Sequence, residues 1–220
     1  MTARGQFITI EGTEGVGKST QLGNASDTLR QLGVSHIVTR EPGGTPMAES
    51  IRKLLLAPRE EPVNEITELL LMFAARAQHL HGRILPALES GQWVLCDRFT
   101  DATFAYQGGG RGVPRERIAV LENLVQGEFR PDHVILLDAP VETGMTRARH
   151  RGDLDRFEQE AVPFFQRIRE TYLARAKKAP GRYHIIQAGA PLEQVSGEVR
   201  GLIATLVAGS GAGSPPVSVR

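Results

Sequence analysis

A chain of 220 residues with 40% apolar side chains can bury one sizeable core, and a formal charge of +1 argues against bulk binding of nucleic acid. It has no run of about 18 apolar residues, so no membrane span is expected. Its single cysteine, Cys96, excludes an internal disulfide; with no apolar leader before the first strand-like run, this suggests a soluble protein of the reducing cytoplasm.

The first predicted strand, 6–11 (QFITIE), leads to a helix predicted over 18–32. Between them, Gly12-Thr13-Glu14-Gly15-Val16-Gly17-Lys18-Ser19-Thr20 satisfies the phosphate-loop pattern G-x-x-x-x-G-K-S. Glycine is costly to order, so a cluster needs a reason. Here Gly12, Gly15 and Gly17 let backbone amides turn inward around an anion, and the helix start adds its positive end. In such a loop Lys18 reaches the β- and γ-phosphates and the Ser19 hydroxyl ligates Mg²⁺. Residues 12–20 are therefore the expected triphosphate site. A chance glycine-rich turn is the bland alternative, which the strand before and the helix after disfavour. The D-x-x-G and N-K-x-D strings of a GTPase switch do not occur.

A second strand, 35–39, ends on Thr39-Arg40-Glu41-Pro42-Gly43-Gly44-Thr45, with Thr45 placed to cap a helix over 45–56. This segment reads either as an ordinary connection or as a substrate loop. In the long helix predicted over 67–90, Phe73 and Arg76 stand three apart and share a face. They offer a ring to stack and a guanidinium for a carbonyl, although a phenylalanine there is more often a core residue. The third strand, 92–96, delivers Asp97 and Arg98 to a strand end. A carboxylate in that place holds Mg²⁺ and an arginine takes an anion bidentately; a surface ion pair is the alternative.

Beyond a helix over 115–126, a strand over 133–138 and a helix over 141–149, the stretch Thr146–Glu160 gathers Arg147, Arg149, Arg151 and Arg156 around Gly152. It is either a solvated basic helix end or a lid that carries arginines to a transferring phosphate. The lid is the reading adopted, because the glycine loop has no arginine of its own. With four lysines against 22 arginines, arginine is the default cation here, which weakens any arginine cluster and raises the interest of Lys18. A helix over 158–179, a strand over 183–187 and a helix over 192–207 precede a Gly/Ser/Pro-rich tail, 209–220, expected to be flexible. No His or Cys metal spacing appears.

Apolar strands alternating with helices predict an α/β domain over 1–208, its lid about 144–157: a five-stranded parallel sheet with helices on both faces. Ligands then bind beyond the carboxyl ends of the strands.

The strings EGTEGVGKST, TREPGGT, LMFAARAQ, DRFTDATFAYQGGGRG, FRPDHVILLD and RARHRGDLDRFEQE, in this order and spacing, resemble the bacterial thymidylate kinase family across Gln6 to Val207. The resemblance implies a P-loop nucleoside monophosphate kinase fold. It implies transfer of the γ-phosphoryl of MgATP to dTMP, giving dTDP and ADP for dTTP synthesis, by a homodimer. Residue by residue, it places Glu14 near the acceptor sugar, Arg98 on the dTMP phosphate and Asp97 with Ser19 at the metal. Phe73 would stack on thymine, Arg76 reach a base carbonyl, Tyr106 border the sugar, and Thr103 and Gln107 touch the base. Arg40 joins this substrate-binding set. Arg149 and Arg151 of the lid would act with Lys18 and Arg98 in catalysis, and Ala188–Pro191 would border adenine. Ala102 stands where many relatives carry Ser, and Phe104 replaces a smaller or polar residue. A different small-molecule kinase and a non-catalytic ATP-binding module are the competing readings.

Overall fold

The computed structural model describes residues 4–151 and 156–211, with the backbone alone for 149–151. Its strands are β1 Phe7–Glu11, β2 His36–Arg40, β3 Trp93–Asp97, β4 His133–Asp138 and β5 Tyr183–Gln187. The helices are α1 Lys18–Gln31, α2 Pro46–Leu56, α3 Glu65–His79, α4 Leu85–Glu89, α5 Thr100–Thr103, α6 Arg115–Gln126, α7 Val141–Arg151, α8 Val162–Lys178 and α9 Leu192–Ser210. Leu80–Ile84 and Phe104–Gly110 are π-helical.

The strands pair in the order β2-β3-β1-β4-β5, every pair parallel, and each lies within one residue of its predicted span. Strand periodicity sorts the side chains onto two faces. Ile8, Ile10, Leu95, Ile135 and Leu137 pack on one face with Leu29 of α1 and Val199 and Ile203 of α9. On the other, Phe7, Val94 and Cys96 meet Leu80, Ile84 and Leu88, and Val134 and Leu136 meet Ile168 and Tyr172 of α8. A sheet buried on both faces explains why β1 and β4 read as nearly unbroken apolar runs. The strand order reverses at β1, so the crevice for a ligand opens at its carboxyl end.

Thr45 caps α2 as expected, accepting from the amide of Ala48 at 3.3 Å, and Asn64 caps α3 through Ile66 at 2.9 Å. The single helix predicted over 67–90 is instead α3, a π turn and α4. Pro86 has no N–H to offer the carbonyl four residues back, and the π turn just before it absorbs the misfit. The α5 helix with its π-helical continuation through Gly110 is absent from the helices read off periodicity, because Gly108-Gly109-Gly110 reads as a loop, and only the family resemblance puts Thr103 and Gln107 on a helix start. The glycines are there for contact: a Cβ on Gly109 would collide with Thr171 of α8, and one on Gly110 would lie 2.5 Å from the Phe164 ring. The last helix runs to Ser210, into the predicted tail, and ends at Gly211 in the left-handed region at φ 68°; residues 212–220 lie outside those described. Among the described residues no helix is long and apolar enough to cross a membrane.

Candidate active site

The glycine loop turns on three left-handed or otherwise positive φ values, 141° at Gly12, 67° at Gly15 and 89° at Gly17. Gly12 passes so close to β4 that a Cβ would lie 2.5 Å from the Leu137 carbonyl oxygen, and one on Gly15 would collide with the Gly144 carbonyl of α7. The loop is thus clamped between β4 of the sheet and the first turn of α7. Lys18, 8% exposed, folds back over it and donates to the carbonyls of Gly12 at 3.2 Å and Thr13 at 2.6 Å. Burial, and then the nearby Arg98 charge, push its ammonium below the usual lysine range. Ser19 and Thr20 stand exposed in the first turn of α1.

At the end of β3, Arg98 holds φ 66°, the one positive φ at a non-glycine among the described residues. Strain of this kind costs about 1–3 kcal/mol and marks a functional site. Its guanidinium donates to the Gly12 carbonyl at 3.2 Å and to Glu14 Oε1 at 2.7 Å, and lies over the Tyr106 ring at 4.6 Å. The Tyr106 hydroxyl donates to the same Glu14 oxygen at 2.8 Å. Beneath the strained turn, buried Glu11 accepts from the Phe99 amide at 2.7 Å and the Tyr172 hydroxyl at 2.9 Å. Burial, with the Asp101 charge adding to it, pushes the Glu11 carboxyl up to about 8. The neighbouring Asp97 Oδ1 is buried with no hydrogen-bond partner. An orphaned carboxylate oxygen, with a serine hydroxyl at the loop's mouth, is the hard oxygen chemistry that a hydrated Mg²⁺ takes.

A cleft of about 560 Å³ runs from this corner between α3, α5 and the Thr39–Thr45 segment. Arg76 lines it while almost wholly buried. Its Nε donates to Glu41 at 2.7 Å and its NH2 to Thr103 Oγ1 at 2.8 Å, whereas NH1 is buried without a partner. Glu41 is held in turn by His79 at 3.1 Å, and His79 by Thr39 at 2.7 Å. Arg40 lines the cleft and pairs with Glu49 at 2.9 Å. Thr103, Tyr106 and Gln107 line it as expected, and Ala102 joins them.

Phe73 does not line the cleft. It packs with Leu69, Phe104, Val113 and Ile118, and the Arg76 guanidinium rests 4.8 Å from its ring centroid. Met72 occupies the cleft wall instead, four residues before Arg76 and therefore on its face. Phe104 likewise belongs to the core, with the Arg175 guanidinium 3.9 Å above its ring, so its departure from the family pattern does not touch the cleft.

From the predicted lid, Arg147 lines the cleft and donates to the Ala188 carbonyl at 3.0 Å, tying α7 to the segment after β5. Arg156 turns away to Glu68 at 2.6 Å and the Leu55 carbonyl at 2.9 Å. The side chains of Arg149 and Arg151 lie outside the described residues, as do residues 152–155. Sequence reasoning missed Met72, Glu68 and Arg52, the last lining the cleft and donating to the Pro42 carbonyl at 2.9 Å. A signal existed for Met72, its i, i+4 relation to Arg76; none existed for the other two.

Two cations from separate loops, Lys18 and Arg98, meet on one carbonyl oxygen, an arrangement suited to bringing two phosphate-bearing molecules together. On this sheet it defines a P-loop kinase of the nucleoside monophosphate class. The family model described as Thymidylate kinase matches residues 10–199. The chain is 59% identical over 196 residues to the thymidylate kinase of Teredinibacter turnerae, covering 89% of this chain and 96% of that one. It is 57% identical over 203 residues to that of Ectopseudomonas mendocina, covering 92% and 97%. Its structure is similar to the crystal structure of thymidylate kinase from Ehrlichia chaffeensis, with a TM-score of 0.73 at 33% identity over 91% of this chain and 99% of that chain. The chain belongs to the thymidylate kinase family.

Proposed function

We propose that this protein transfers the γ-phosphoryl group of MgATP to dTMP, giving dTDP and ADP, as a cytoplasmic homodimer. The observation that carries the reading is the convergence of Lys18 and Arg98 on the Gly12 carbonyl, each at 3.2 Å, with Glu14 beside both. Phosphoryl transfer between two anions is limited by their repulsion, so positioned cations supply most of the catalysis. Lys18 would exchange its carbonyl contacts for the donor phosphates, held by the amides of residues 12–20. Arg98 would turn from Glu14 to the acceptor phosphate. The acceptor oxygen is already anionic and attacks the γ-phosphorus in line without a general base. Ser19 and Asp97 would hold Mg²⁺, which neutralises charge on the donor phosphates. Arg149 and Arg151 would add positive charge from the lid and exclude water.

On the acceptor side, the unpartnered NH1 of Arg76 supports contact with a base carbonyl, flanked by Thr103 and Gln107. Met72 would press on the base face in place of Phe73, a flexible thioether surface for an aromatic ring. Tyr106 and Glu14 would border the sugar, and Arg40 the approach of the acceptor. The homodimer is supported by exposed apolar side chains on the adjoining helices α3 and α6: Leu70, Val120 and Leu124.

The deciding experiment couples ADP release to a panel of nucleoside monophosphates. Robust turnover with dTMP is expected. Turnover with AMP, GMP or UMP and none with dTMP would overturn the reading.

A further inference from the structure

We infer that Glu68 fixes the polarity of the Gln107 side-chain amide, so that the base pocket reads the imide edge of thymine or uracil and rejects cytosine. The inference rests on the pyrimidine-acceptor reading above and adds a residue that does not itself line the cleft.

Glu68 sits in the first turn of α3 and is 0% exposed. Its Oε2 accepts from Arg156 NH2 at 2.6 Å, and Arg111 Nε lies 3.5 Å from its Oε1. That Oε1 accepts from Gln107 Nε2 at 2.8 Å. A carboxylate between guanidiniums has only lone pairs to offer. Which end of a glutamine amide faces a partner is decided by that partner's chemistry, and here the NH₂ end must face Glu68. The carbonyl oxygen Oε1, with no partner among the described residues, is the end left for the cleft that Gln107 lines.

The neighbouring donor is Arg76 NH1, buried and unpartnered. Thr103 links them: Arg76 NH2 is bonded to Thr103 Oγ1 at 2.8 Å, Gln107 follows Thr103 by four residues on the same helical segment, and all three line the one cleft. The end of the pocket therefore presents a donor next to an acceptor. O4 of thymine accepts and its N3–H donates, matching both. Cytosine offers an amino donor and a bare N3 acceptor at the same places, so both pairs are mismatched. Buried polar groups left facing their own kind are what separates two ligands of equal shape. Glu68 is a positioning residue here: it acts through Gln107.

The test is kcat/KM for dTMP, dUMP and dCMP at saturating ATP. In the wild-type protein dUMP, which shares the imide edge but lacks the methyl group, should exceed dCMP by at least about ten- to hundredfold, the worth of either buried polar mismatch alone. Parity between dUMP and dCMP overturns the inference without any variant, whereas failure of dTMP itself overturns the functional reading instead. In Glu68→Gln the new amide can accept or donate, so Gln107 is released to turn round. The dTMP-to-dCMP ratio should fall by a similar factor, with KM rising for dTMP and falling for dCMP, and Glu68→Asp should restore it. A folded Glu68→Gln protein that is slower with both substrates but keeps the wild-type ratio shows that Glu68 is structural, and the inference is wrong.

Discussion

Glu11 illustrates how one buried side chain serves a motif it does not belong to. It ends β1 directly before the glycine loop and holds the Phe99 amide, the next donor after the strained Arg98. Its carboxyl, pushed up to about 8 chiefly by burial, keeps its proton in the folded chain at pH values where the unfolded chain has lost it. Unfolding therefore releases a proton between about pH 4.5 and 8. The stability tied to this group is fully present below about 4.5 and is lost as the pH rises through 8, with a slope of at most about 1.4 kcal/mol per pH unit. Urea unfolding of the wild type should weaken over that interval, and Glu11→Gln should flatten the trend. Parallel pH curves for the two proteins would refute it. At this scale the phosphate loop and the Asp97–Arg98 pair were legible in the sequence because backbone-defined motifs carry their function in spacing. Phe73 was not, since one residue's shift along a helix turns a side chain by about 100°, and the packing of α3 on α6 puts Phe73 in the core and leaves Met72, one turn before Arg76, on the cleft. Met72→Ala should raise the KM for dTMP at a smaller cost in stability, because Met72 is half-buried at the edge of the core. Phe73→Ala should cost about 3–5 kcal/mol of stability, as large-to-small core changes do, and steady-state kinetics beside urea titration separate the two.

Between elements, one close approach in the site has no side chains in it. The base of α7 touches the phosphate loop backbone to backbone: a Cβ on Gly15 would collide with the Gly144 carbonyl, and one on Gly144 with the Glu14 carbonyl. Gly144 has an ordinary helical backbone, so its requirement is for space and alanine should not strain the helix itself. Gly144→Ala should lever α7, with Arg147 on it, away from the phosphate loop, with an overpacking cost of about 1–3 kcal/mol. We expect kcat to fall well beyond any change in the KM for dTMP; a wild-type kcat would show that the contact is incidental. This close approach was invisible in the sequence, where Gly144 looks like a weak point in a helix. The π-helical turn over Phe104–Gly110 was hidden for the same reason. Glycines that permit helix-to-helix contact and glycines that make loops look alike until the partner, here Thr171 and Phe164 of α8, is in place.

For the whole molecule, the apolar runs and their spacing were enough to predict five parallel strands, because a sheet covered on both faces imposes near-continuous hydrophobicity on its strands. What such patterning does not settle is which apolar residues lie outside. Val120 and Leu124 stand one turn apart on α6 and are 67% and 77% exposed, and Leu70 on the adjoining α3 is also exposed. All three belong to helices that also pack side chains into the core, Leu69 and Phe73 from α3 and Ile118 from α6. Burying such side chains contributes about 1.5–3 kcal/mol each, and a stable interface needs about 1,000 Å² or more in total, so a dimer formed here has to use both helices of each copy. Light scattering should therefore return twice the chain mass. Changing Val120 and Leu124 together to Asp sets like charges on both sides of a two-fold interface, because the same patch meets itself. That double variant should run as a monomer with unchanged circular dichroism, since neither side chain contributes to the core of one subunit. A wild-type protein that stays monomeric at micromolar concentration would refute the dimer, and a double variant that still dimerises would place the contact on another face.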